Sequence, residues 1–196
     1  MSTPPGEYYT DERWQNWIDR LEDEEIDPEN EDSARLLLNL QDDAAIAVAK
    51  IITDYEDDLL DQEPALEELA EIREIVLAEV DIDDEETLML IDGVQTSLVC
   101  VFYAAEEFVA EGPAEEGTVG DYIEAAAEAE AEEDLDAALG YCVQAGTLII
   151  DGEELDVDAA ADLEYGLVSE WANGLDSLQT AMSDPEVVEE DDGADE

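Results

Sequence analysis

SARLLLNLQDDAAIAVAKIITDY, residues 33–55, decides the fold class. Its apolar positions Leu36, Leu37, Leu38, Leu40, Ile46, Val48, Ile51, Ile52 and Tyr55 recur at helical spacing. They cover too wide a face for a surface stripe, which marks a helix buried on most sides. We therefore expect an all-α protein with this segment as its central, most buried element.

Upstream, Thr10 can cap a first helix with Trp14, Trp17, Ile18 and Leu21 on one face, ending before Asp27-Pro28 because the residue preceding proline avoids the helical region. Downstream, Pro64 suits the first turn of a third helix carrying Leu66, Leu69, Ile72, Val76 and Val80. Acids 83–86 favour the start of a fourth, through Leu88, Ile91, Val94, Leu98, Phe102 and Val109, weakened at Gly93. EGPAEEGT (111–118) is the clearest breaker and the place for a seam between subdomains. Thr118 caps a fifth helix, a turn at 132–134 leads into a sixth, and a last helix is expected from about Val157 to Met182. Its apolar residues Leu163, Leu167, Trp171, Leu175, Leu178 and Met182 step by four, four, four, three and four. No segment alternates convincingly as a strand; TLII (147–150) is the ambiguous piece. The expected organisation is a flexible leader over 1–9, a bundle of six to seven helices over 10–183, and a disordered acidic tail over 184–196.

AAAEAEAEEDLDAAL (125–139) carries six carboxylates and no Lys or Arg, and the whole chain has 61 acidic residues against 5 basic ones. Such charge usually marks disorder, but 45% of the residues are hydrophobic and helically spaced. Two carboxylates about 8 Å apart repel by ~0.5 kcal/mol in water and by roughly 0.2 at physiological salt. At molar salt the Debye length falls to about 3 Å and the repulsion nearly vanishes. The chain reads as the cytoplasmic product of an extreme halophile. The start has no apolar signal segment, and the longest apolar run, Leu98 to Ala105, is short of a membrane span. Cys100 and Cys142 lie in apolar helical patterns with no CxxC, and read as buried, reduced thiols.

Absent residues exclude most chemistry. With no His there is no Ser-His-Asp triad, Cys-His pair, His-ligated zinc or Glu-x-x-His di-iron site. No phosphate-cradling glycine motif occurs, and all five bases (Arg13, Arg20, Arg35, Lys50, Arg73) lie in the first 73 residues, against nucleic-acid binding. Glu67 and Glu71, followed by Glu79, look like the acidic helices of all-α nucleotide pyrophosphohydrolases, which suggests a divalent-metal-dependent hydrolase as an alternative. That family's second acidic pair is spaced by three, and Ile82 occupies the matching position here, so a solvated face is the preferred reading. Asp81 to Asp92 has calcium-loop acids but Glu86 where the loop needs glycine. Glu132 to Leu148 resembles half of a tetratricopeptide repeat, and an isolated helical hairpin is the simpler reading. WQNWIDRL offers Trp14, Trp17, Arg13 and Arg20 as candidate partner-binding residues, although docking on its own core is the commoner use of such a helix.

YYTDERWQNWIDRLEDEEIDPENEDSARLLLNLQDDAAIAVAKIITDYEDD (8–58) resembles the start of a family of uncharacterised haloarchaeal proteins, a domain of unknown function. The resemblance extends from Thr10 to Met182, with WQNWIDRL and SARLLLNLQDD its most specific parts. It implies a halophilic cytoplasmic setting and no catalytic residues. The expectation is a non-enzymatic helical module without cofactor that binds a protein partner or itself, and neither nucleic acid nor membrane. An acidic mimic occupying a basic nucleic-acid-binding site on a partner is a further alternative.

Far-ultraviolet circular dichroism should show helicity and cooperative melting increasing from millimolar to molar KCl. Full helicity and a sharp melt in millimolar buffer, with no gain from KCl, would end the brine reading.

Overall fold

A computed structural model describes residues 8–24, 26–27 and 29–183. They form α1 (Asp11–Asp23), α2 (Glu31–Glu56), α3 (Gln62–Val76), α4 (Glu85–Glu111), α5 (Val119–Ala131), α6 (Leu135–Asp151), the single turn α7 (Val157–Ala161) and α8 (Leu167–Ser183). The fold is an all-α bundle, with no strand among the described residues. TLII is the last turn of α6 and is wholly buried. The acidic tail expected over 184–196, and residues 1–7 of the expected leader, lie outside the described residues. Tyr8 and Tyr9, read with the leader from sequence, instead belong to the core.

Most of the helices start where their first free N–H groups find a side-chain acceptor. Thr10, Asn30, Asp84, Thr118, Asp134 and Asp156 accept hydrogen bonds from the first turns that follow them. At Thr118 the bond is reciprocated by Asp121, closing a capping box. α6 ends at Gly152, whose φ of +112° is open to glycine at little cost.

The centre of the bundle is α4 rather than α2. α4 packs against α2, α3, α6 and α8, whereas α2 packs against α3, α4 and α8. Apolar and small residues occur all round α4, so Leu98, Cys100, Val101, Phe102, Ala104 and Ala105 are all fully buried. Gly93 does not interrupt it. α4 is long and apolar enough to cross a membrane, and half of its apolar window is buried among the other helices. Packing also continues across 112–118, where the Ala114 N–H donates to Thr147 Oγ1 at 3.1 Å. One core cluster takes in residues from both sides of that connection.

The last helix departs from its sequence pattern. Residues 162–166 break it into α7 and α8 although the apolar steps run straight through. At the restart Glu130 on α5 caps α8: its carboxylate accepts from the Leu167 N–H at 2.7 Å and the Val168 N–H at 3.3 Å. It starts α8 afresh by satisfying N–H groups that a continuous helix would have bonded internally.

Two glycines set how closely α8 and α6 approach α4. A Cβ on Gly174 would stand 2.0 Å from the Ser97 carbonyl oxygen, and one on Gly146 2.4 Å from Ala104 Cβ. The first obstacle is backbone, so Gly174→Ala must move α8 and should cost about 1–3 kcal/mol. Gly140→Ala on α6 meets nothing within 4 Å and should stabilise by up to about 1 kcal/mol. Thermal melting of both variants at molar KCl reads the contrast; equal melting points would refute the close approach.

Candidate functional site

The sequence's candidate partner-binding helix, α1, lies on the body of the protein. Trp14, Ile18 and Leu21 are buried, Trp14 at 5% exposure. The polar residues beside them converge on one carboxylate, Asp43 of α2, itself 7% exposed. Arg13 forms an ion pair with Asp43 and donates from Nε to Oδ2 at 2.8 Å. The Trp17 indole N–H donates to the same oxygen at 2.9 Å. Arg13 also stacks 5.7 Å from the Tyr9 ring centre. Two donors on successive turns of α1 thus grip a single acceptor. Arg20 is the exception among the four candidates: it lies at the surface, 3.4 Å from Glu24, with its guanidinium 5.7 Å from the Trp17 ring centre.

Next to this node, burial and neighbouring charge act on the phenols. Tyr9 is buried near Asp43, and desolvation followed by that carboxylate's charge pushes its hydroxyl well above the usual range. Its hydroxyl has no well-formed hydrogen bond. Tyr8 donates to Asp54 Oδ2 at 2.5 Å and is raised by burial and by that bond. Burial also raises the carboxyls of Asp42 and Glu106. At Glu106 it outweighs the Arg73 guanidinium only 2.6 Å away.

A cleft of about 470 Å³ opens between α1 and the segment that follows α3. The buried side chains of Trp14, Ile18 and Ile75 and the half-buried Val80 line its depth, while Asp11, Glu12, Glu79 and Asp81 are its exposed acidic residues. Of the alternative metal set, Glu79 borders this cleft, whereas Glu67 and Glu71 sit on the exposed side of α3. The three are not gathered, and no group of three or more Asp, Glu, Cys or His among the described residues could hold a metal.

Sequence reasoning missed Asp43 and Tyr9. Asp43 had a signal: it lies three residues after Leu40 and four before Ala47, on the stripe that α2 buries. A carboxylate there implies a partner brought to it. Tyr9 had none, because nothing in its neighbourhood repeats.

Residues 7–191 match a family described as "Uncharacterized protein conserved in archaea (DUF2150)". The protein belongs to that archaeal family. The family match spans α1 through α8, so the Asp43 node and the cleft both lie within the shared region of DUF2150. No curated protein and no solved structure matches the chain.

Asp43→Ala should release α1. Arg13 is 44% exposed and regains water, so the cost is about 1–2 kcal/mol rather than that of a fully buried pair. Hydrogen exchange at molar KCl should then show α1 amides exchanging roughly tenfold faster, with α4 unchanged. Asp43→Asn, which keeps an acceptor for Trp17, should show a smaller effect. Unaltered protection of α1 would mean that apolar packing alone holds it.

Proposed function

We propose that the protein is a non-enzymatic helical binding module of a halophilic cytoplasm, acting by docking a protein partner in the cleft beside α1. The observation that carries this reading is the cleft itself, which combines an apolar lining of Trp14, Ile18, Ile75 and Val80 with four exposed carboxylates. The matching occupant is a short segment with apolar side chains flanked by Lys or Arg. The apolar contact survives molar salt, which screens the charges to a few ångströms and leaves them to favour one register over another. Trp14 takes part as the inner wall of the cleft rather than as a projecting anchor. A second copy of this chain fits less well, since it would set acid against acid.

Two observations weigh against the other readings. Exposed carboxylates occur on all eight helices, not along one face as a nucleic-acid mimic requires. Glu67 and Glu71 stand apart from the cleft that Glu79 borders, so the arrangement offers no shared cation.

Ala78 is exposed and borders the cleft, so Ala78→Trp should fill it and leave the core intact. In capture from a lysate held at molar KCl, the wild-type chain should retain a reproducible partner that Ala78→Trp loses, with both melting alike. Retention by the variant, or no partner for the wild type, overturns the proposal.

A further inference from the structure

Two thiols lie side by side at the centre of the bundle. Cys100 on α4 and Cys142 on α6 are both free and fully buried, and Cys142 stands near enough to raise the Cys100 thiol. The register of the two helices also brings them together, since α4 and α6 run the same way: Ala114, just beyond the end of α4, bonds Thr147 in the last turns of α6. α4 and α6 come very close where Gly146 faces Ala104. Cys142 precedes Gly146 by four residues, and Cys100 precedes Ala104 by four. On each helix the cysteine therefore sits one turn before the close approach and on the same face. A disulfide needs Cβ atoms roughly 3.5–4.5 Å apart, and a crossing of glycine on alanine is where helices come that near.

We propose that Cys100 and Cys142 form a modification site: a latent disulfide between α4 and α6, closed by hydrogen peroxide. One thiol loses its proton, and the thiolate attacks a peroxide oxygen. The O–O bond breaks, the departing hydroxide takes up a proton as water, and the sulfur becomes a sulfenic acid. The second cysteine, as thiolate, attacks that sulfur. The S–S bond forms, the S–O bond breaks, and the released hydroxide is protonated to a second water. Sulfur gives up two electrons and the peroxide accepts them.

Packing sets the rate. Only the thiolate reacts, and burial among apolar side chains pushes the Cys100 thiol up, away from ionisation. Oxidation therefore proceeds from molecules in which α6 has loosened from α4. Its acceleration in dilute salt rests on the brine reading, because weaker screening loosens the bundle.

The test exposes the full-length protein to hydrogen peroxide in molar KCl and in dilute buffer, then denatures it and alkylates it with iodoacetamide. In molar KCl the monomer should slowly lose two hydrogens in mass, yield a peptide pair linking Cys100 to Cys142, and keep the helicity of the reduced protein. In dilute buffer the link should form at least tenfold faster. Sulfinic or sulfonic acids, or intermolecular dimers, without that peptide pair in molar KCl would overturn the proposal. So would a linked protein that has lost its helicity. A link that forms equally fast in both buffers upholds the disulfide and removes the brine reading instead. Cys100→Ser serves as the control and should give no intramolecular link.

Discussion

Scarcity of positive charge is the constraint under which everything else in this molecule is arranged. With 5 basic residues against 61 acidic ones, most helix ends and carboxylates must find partners other than Lys or Arg. At C-termini the partners are amides. Gln62 donates to the carbonyls of Val109 and Ala110 at the end of α4, and Gln95 to those of Val76 and Ala78 beyond α3. At N-termini the surplus acid itself serves. Glu153 accepts from the Val119 N–H at 2.7 Å, and Glu130 caps α8, so negative charge sits against the positive end of a helix.

Two of the five cations hold helices together. Arg13 meets Asp43, the carboxylate that α2 buries, and Arg73 meets Glu106 between α3 and α4. Arg73 also lies 5.5 Å from the Tyr103 ring centre. In both places a guanidinium joins two consecutive helices, and its planar fork combines charge with stacking. Most of the other carboxylates lie exposed at the surface, and cohesion falls to the apolar interior. That interior is drawn tight by small residues, with Gly146 and Gly174 admitting α6 and α8 to the surface of α4.

The α1 docking node and the cleft beside it are two results of the same placement. Asp43 holds the helix through Arg13 and Trp17, and the held helix forms one wall of the cleft with Trp14 and Ile18. The aromatic helix, docked on the core as its sequence favours, thus becomes part of a concave surface. Its tryptophans divide the tasks: Trp14 supplies buried apolar area and Trp17 a hydrogen-bond donor.

The sequence by itself determined the all-α class, a bundle of six to seven helices, the caps at Thr10 and Thr118, and the burial of both cysteines. Those features follow from periodicity and from side chains acting on neighbours three or four residues away. Only the tertiary structure decided that α4 rather than α2 is the hub, that Tyr8 and Tyr9 join the core, that Asp43 gathers α1, and that α8 starts at Leu167. Each of those depends on a group far along the chain: Glu130 is 37 residues from the helix it caps, and Asp43 is 30 from Arg13. A periodic pattern reports which face of a helix is buried; which neighbour covers it depends on packing that no local spacing encodes.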